Sequence, residues 1–278
     1  GVFLISEAVR GAGAVLLHPD GTRLMQGLHP MADLAPRNIV ARAIHTVMRE
    51  QSVPHVWLDA TRIGGQRFAR EFPRILAHCK AIGIDPTKEP IPVMPAAHYL
   101  CGGIRTDAKG CTALQGLYAL GECASSGLHG ADRLASNSLL EALVIPRHAA
   151  AAVMIAEWPG SMLEDIELGR YVDTEHSSAI DTMVVELRDM MTDQVGIMRD
   201  HAGLRSAHHV LLSMSAQMER AWKEGERSLS FYELRDMVSV GRAICEQAIA
   251  EPRNAGTHWN NDFAPLQHIR TDTTFSAS

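Results

Sequence analysis

His98-Tyr-Leu-Cys-Gly-Gly103, Asp107-Ala-Lys-Gly-Cys-Thr112, Gly116-Leu-Tyr-Ala-Leu-Gly-Glu122 and Gly127-Leu-His-Gly-Ala-Asp-Arg-Leu-Ala-Ser-Asn-Ser-Leu-Leu-Glu141 follow one another with little between them. Short apolar runs alternate with glycine turns, the pattern of brief strands rather than of a long helix. Gly102 and Gly103 leave the backbone bare, so a flat ligand can approach it closely. Glu122 follows Leu117-Tyr-Ala-Leu120 and a glycine, which puts a carboxylate at a strand end, where it accepts hydrogen bonds from hydroxyls. Ser138-Leu-Leu-Glu141 has the spacing of a capping box, so a helix is expected to begin there. The unpaired N–H groups of its first turn, at Ser138 and Leu139, favour negative charge. Arg133 precedes that helix; its planar fork grips a carboxylate in two places, which a Lys cannot copy.

On the amino-terminal side, Val15-Leu-Leu-His-Pro-Asp-Gly-Thr-Arg-Leu-Met25 reads as two strands around a Pro-Asp-Gly turn. Pro36 at the first helical position opens a helix whose Ile39, Val40, Ala43, Ile44, Val47 and Met48 repeat at helical spacing. His55-Val-Trp-Leu-Asp59 is a strand, and a second helix covers about 65–82. Pro86, Pro90, Pro92 and Pro95 form a stiff extended connector suited to a domain crossing. Beyond the central stretch, Pro146 is expected to kink or restart the helix. Helices fit 177–195, 202–224 and 230–250 as a small antiparallel bundle, and the tail past 265 lacks apolar periodicity. The fold class is therefore α+β, in three sections: 1–95, 96–160 and 165–278.

The 278 residues are enough for one large or two smaller domains with ample core. A net charge of −6 with scattered basic residues argues against nucleic acid as the main ligand. Five cysteines without a C-x-x-C pair argue against a disulfide scaffold and structural zinc, and point to a reducing, cytoplasmic setting. No His-Glu-x-x-His or other metal spacing stands among the 14 histidines, so no metal site is expected. No apolar run is read as approaching a membrane span, because Ala149–Ile155 is short and flanked by Arg147 and Glu157. Gly11-Ala-Gly13 lacks the third glycine of a dinucleotide loop and does not follow a strand.

The central motifs, in this order, resemble the flavoprotein family of L-aspartate oxidase, succinate dehydrogenase and fumarate reductase. Asp107-x-x-Gly-x-Thr with Gly-Leu-Tyr-Ala and Gly121-Glu122 is similar to that family's second flavin-binding motif. The resemblance implies a capping domain in part over 1–95, the carboxy-terminal portion of an FAD-binding α/β domain over 96–160, and a three-helix bundle over 165–278. FAD would be held by Glu122, Ser138 and Leu139. A four-carbon dicarboxylate, L-aspartate or fumarate, would be held by Ser6, Glu7, His98 and Arg133. Arg37 matches the proton-shuttling arginine, although a guanidinium gives up its proton only in a special environment.

Leu134-Ala-Ser-Asn-Ser-Leu-Leu-Glu141 and Ser-Gly-Leu-His129-Gly lean toward the aspartate-oxidising branch. That branch implies FAD-dependent oxidation of L-aspartate to iminoaspartate, reoxidation by oxygen or fumarate, and supply of quinolinate synthase on the way to NAD. Two other readings stay open: a succinate dehydrogenase or fumarate reductase flavoprotein subunit, and a non-catalytic remnant or binding module. Several positions depart from the family pattern: Ser6 for Thr, Ala12 for Glu, Cys111 for a frequent Arg and Asp132 for Asn. Gly256-Thr-His258 resembles a remnant of the family's Arg-Gly-x-His element, with Ala255 where a small residue is usual. With no dinucleotide loop and no initiating Met, the chain is expected to be a carboxy-terminal part, inactive alone.

Overall fold

The computed structural model describes residues 3–156 and 178–263. The chain divides into two compact units, Gly1–Ile155 and Ala156–Ser278. The proposed domain boundary at 160–165 and the tail past 265 lie outside the described residues. In the first unit the elements run α1 (Ala8–Gly11), β1 (Val15–Leu17), α2 (Arg37–Glu50), β2 (Val56–Asp59), α3 (Gly65–Glu71), α4 (Pro73–Ala81), β3 (Ile91–Val93), β4 (Ile104–Arg105), β5 (Ala124–Ser125) and α5 (Asn137–Ile155). The mixture bears out the α+β reading.

Strands β1, β2 and β3 form an antiparallel sheet with β2 in the centre, in register Leu16 to Leu58 and Leu58 to Ile91. Along β2 the side chains alternate, so Val56 and Leu58 are buried while Trp57 and Asp59 are half-buried. On α2, Val40, Ile44 and Val47 recur at spacings of four and three and form one buried stripe. These faces meet Val9, Leu24, Met25, Phe68, Ile75 and Cys79 in one apolar core drawn from residues 9–91. Between residues 96 and 155 the buried apolar side chains are only Ala119, Ala124 and Ala149, and His129, Arg133 and Glu141 are buried among them. That region is organised by polar contacts.

Several local expectations are corrected. The second arm of the 15–25 hairpin shrinks to one bridge, Leu17 to Arg23, and the Leu16 N–H donates to the Asp33 carboxylate instead of a strand partner. Pro36 is the N-cap of α2, extended at ψ 144°, and not its first helical residue. The 65–82 helix is two helices: Phe72 leaves the helical region (φ −130°, ψ 51°) ahead of Pro73, which opens α4, because a proline disfavours the helical region for its predecessor. The 86–95 connector contributes β3, with Pro92 on the edge strand, where no ladder donor is lost. Pro146 does not interrupt α5, which continues for 19 residues. Counted whole, α5 is also long and apolar enough to cross a membrane by length and composition, contrary to the shorter run read from sequence. The β4–β5 pair is parallel, Ile104 to Ala124, and Gly103 before it is obligatory: a Cβ there would lie 2.3 Å from the Cys123 carbonyl oxygen.

The second unit consists of α6 (Ser178–Gln194), α7 (His201–Lys223) and α8 (Leu229–Ala250), within a residue or two of the predicted spans. Among the described residues, Leu187, Leu204, Leu211, Phe231, Leu234 and Val238 are its largest fully buried side chains. Asp200 caps α7 by accepting from the Gly203 N–H at 2.7 Å, and Ser228 caps α8 by accepting from the Phe231 N–H. Gly241 lets α8 approach its neighbours: a Cβ would meet Leu211 at 3.2 Å and Met191 at 3.4 Å.

Candidate active site

The chain turns into α1 at Ser6 and Glu7, enters α2 at Arg37, and leaves the region of β3 toward His98. These three segments converge. Arg37 Nη2 donates to Glu7 Oε1 at 2.8 Å, and Arg10 Nη2 stands 3.6 Å from the other oxygen of the same carboxylate. Arg10 is pinned from behind by donating to the Asp33 and Ala35 carbonyls. Burial pulls its guanidinium below the usual arginine value, and Glu7 and Asp33 oppose that shift. Arg37 Nη1 lies 3.3 Å from His98 Nε2, and Arg133 Nη2 lies 2.9 Å from the same nitrogen. Two guanidinium donors aimed at one ring nitrogen require it to be the lone-pair nitrogen, so the His98 proton sits on Nδ1.

A cleft of about 390 Å³ opens here, lined by Glu7, Arg10, Arg37, Asp132 and Arg133 with apolar Met31, Leu34, Ala35 and Leu134. Three guanidinium groups face two carboxylates, an arrangement that attracts an anion and holds it by forked hydrogen bonds. Asp132 sits in this cleft; burial raises its carboxyl above the ordinary value, while Arg37, Arg42 and Arg133 pull it back. Of the predicted residues, the fold thus gathers Glu7, Arg37, His98 and Arg133. Ser6 is not gathered: its hydroxyl accepts from the Ala8 N–H and holds the first turn of α1.

Around Arg133 the helix start differs from expectation. Helix α5 begins at Asn137, behind Ser136 in a left-handed conformation (φ 67°), so Ser138 is already inside the first turn. Its hydroxyl accepts from Arg133 Nη1 at 3.3 Å. Glu141 does not reach back to close a capping box; it is buried against His129 and Ser126. Glu122 is exposed after β4, with Oε1 accepting from the Leu100 N–H at 2.9 Å. Leu139 projects outward, 70% exposed.

Sequence reasoning passed over Arg10, although its three-residue spacing from Glu7 on a helix was visible. It also read Glu141 as a capping residue and left Tyr99 without a role. In the second unit, His258 Nδ1 lies 2.8 Å from Arg199 Nη1, in a turn tied by Asn254 and Asn260. Burial, then Arg199, lowers the His258 imidazole below its ordinary value.

Residues 1–139 match the family described as FAD binding domain, and residues 185–278 match that described as fumarate reductase flavoprotein C-term. The chain belongs to this FAD-binding flavoprotein family. Among curated flavoproteins, the L-aspartate oxidase of Streptomyces coelicolor is 40% identical over 281 residues, covering 98% of this chain and 48% of that protein. L-aspartate oxidase 1 of Ralstonia nicotianae is 41% identical, covering 94% of this chain and 50% of that protein. The chain therefore spans about half the length of the curated relatives it matches. Among solved flavoproteins, a quinol-fumarate reductase with menaquinol molecules superposes with a TM-score of 0.79 at 29% identity, covering 94% of this chain and 51% of that one.

The residues present fit the flavin of this family. Glu122 offers an exposed carboxylate to hydroxyls, and the space in front of Gly102 is open to 4 Å around the position a Cβ would take. The start of α5 presents its positive end beside exposed Leu139 and Leu140, a polar-and-apolar edge suited to a flat heterocycle.

Proposed function

We propose that this chain supplies the dicarboxylate clamp and one wall of the flavin site of an FAD-dependent L-aspartate oxidase, which converts L-aspartate to iminoaspartate. The observation that carries the reading is the convergence of Arg37 and Arg133 on the single lone pair of His98, beside a cleft lined with guanidinium groups. An anion oxygen is the natural guest where two guanidinium forks aim at one point. FAD, held by Glu122, Ser138 and Leu139, would supply the hydride acceptor, and taking up the remaining proton would fall to this chain's own residues. Arg133 and Arg37 hold the carboxylates and so fix which C–H bond is presented, which supplies much of the orientation a hydride transfer needs.

Glu7 is the proton acceptor in reach: Arg37 gives a proton to the Glu7 carboxylate as it takes the substrate's, which leaves Glu7 neutral and Arg37 a cation, while Arg10 stays protonated beside Glu7. Arg37 is the catalytic member by this reading, because it alone of the three also touches His98. Asp132 adds a carboxylate to the cleft wall, which suits a substrate carrying an ammonium group better than a bare dianion. The imine product hydrolyses readily, so a consuming enzyme, quinolinate synthase, is the expected receiving partner. Five free cysteines support a reducing, cytoplasmic setting. Division of the first unit near residue 95 into capping and flavin-facing parts is supported by the core confined to residues 9–91.

A second reading, succinate oxidation or fumarate reduction, is favoured by the structural likeness to the quinol-fumarate reductase. An anaerobic flavin spectrum of the full-length polypeptide separates the two. Bleaching of the flavin band by L-aspartate and not by succinate is the expected result. Bleaching by succinate alone would transfer the assignment to the second reading.

A further inference from the structure

A buried polar column stands behind Arg133 that anion capture does not itself use. Glu141 Oε2 and His129 Nε2 are 2.6 Å apart, with side chains only 2% and 4% exposed. The Ser126 hydroxyl donates to the other Glu141 oxygen. The Tyr99 hydroxyl lies 3.3 Å from the same His129 nitrogen, and the two rings meet edge to face at 5.4 Å. On the far side of Tyr99, the Arg133 guanidinium carbon sits 4.4 Å above the ring centroid. The order is carboxylate, imidazole, phenol, guanidinium.

Such a column is costly as mere filling, because a carboxylate and an imidazole withdrawn from water must compensate each other. What it achieves is orientation. A carboxylate at 2.6 Å makes Nε2 the protonated nitrogen and holds the imidazole plane. The imidazole and the hydroxyl contact then hold the Tyr99 ring, whose face is the surface on which a guanidinium stacks. Among the described residues, Arg133 is otherwise fastened at its tips, to Ser138, the Leu134 carbonyl and His98. Its Nε is buried without a hydrogen-bond partner among the described residues, so no polar contact there fixes the plane. The Tyr99 face does.

We propose that Glu141, His129 and Tyr99 are positioning residues that hold the plane of the Arg133 guanidinium for a substrate carboxylate. The inference rests on the reading of Arg133 as a carboxylate clamp. The test uses the full-length polypeptide with flavin bound and malonate as probe, since malonate has two carboxylates and no vicinal C–H pair to oxidise. Binding is read from the perturbation of the flavin spectrum. Tyr99→Leu and Glu141→Gln are each expected to weaken malonate about tenfold with flavin retained. The double variant is expected to be no weaker than about tenfold, because both changes release the same guanidinium. Tyr99→Phe, which keeps the ring face, is expected to stay within about threefold of the parent.

Losses that multiply to about a hundredfold would show independent, merely structural roles and overturn the proposal. So would single variants that bind malonate like the parent. Should Glu141→Gln fail to fold, the contrast between Tyr99→Leu and Tyr99→Phe decides alone, and equal binding by the two overturns it. Undiminished malonate binding by Arg133→Leu would instead remove the clamp reading, and the positioning proposal with it.

Discussion

Arg133 touches His98, Ser138, the Leu134 carbonyl and the Tyr99 face at once, which leaves it little freedom to be anything but a fixed fork. Arg133→Lys keeps the charge and loses both the fork and the flat stacking surface. In the full-length polypeptide the expected result is a rise of about tenfold or more in KM for the dicarboxylate with flavin content unchanged, while Arg133→Leu abolishes turnover; steady-state kinetics with a flavin-to-protein ratio check both. Loss of flavin in either variant would mean that Arg133 holds the fold. A second residue sets a pH limit. The folded state lowers the His258 imidazole, mainly by burial and then by Arg199, while Glu251 opposes. A neutral form favoured on folding contributes stability above the unfolded value of 6.5, and that contribution is lost as pH falls through the lower folded value. Thermal midpoints of the chain are therefore expected to fall on acidification below about pH 6.5, and His258→Gln is expected to flatten that slope.

At the scale of elements, caps and prolines explain both what was legible and what was not. The three bundle helices were readable because each repeats apolar residues at three and four, and each buries that stripe. The Asp200 cap is local and testable: Asp200→Ala strands the Gly203 N–H and is expected to cost about 1 kcal/mol. Urea unfolding should show it as a lower midpoint with an unchanged slope. The break at Pro73 was written in the sequence, since the residue before a proline avoids the helical region, but the apolar pattern on both sides masked it. The capping box at Ser138 failed for a tertiary reason. Glu141 gains a buried partner in His129, and that outweighs a reach back to the helix start. Strand β3 was missed because edge position tolerates Pro92, a fact about neighbours that a single segment does not carry.

For the whole molecule, the candidate site residues that motifs point to are those whose chemistry is local in sequence, and the ones without a motif act across distance. Arg10 joins Glu7 to the backbone at Asp33 and Ala35, and Tyr99 joins His129 to Arg133; neither link is visible until the chain is folded. The same contrast applies to α5. Its length and hydropathy alone suit a membrane span, yet its first turn carries Ser138, whose hydroxyl accepts from Arg133 in the wall of the cleft. Leu139, Leu140, Leu143, Met154 and Ile155 are between 59% and 84% exposed, an apolar load at both ends of the helix that water does not tolerate well. With about half of the relatives' length represented here, a protein surface is the expected cover for this face. The 278-residue chain alone is accordingly expected to bind an apolar dye and to self-associate, and Leu143→Glu with Met154→Glu should suppress both without lowering its thermal midpoint. In the full-length polypeptide the same pair should do the reverse: two carboxylates forced against apolar surface lower flavin retention and stability. Detergent micelles that rescue the double variant no better than the parent would argue for the protein cover, whereas vesicle binding by the parent, lost in the variant, would make α5 a membrane element.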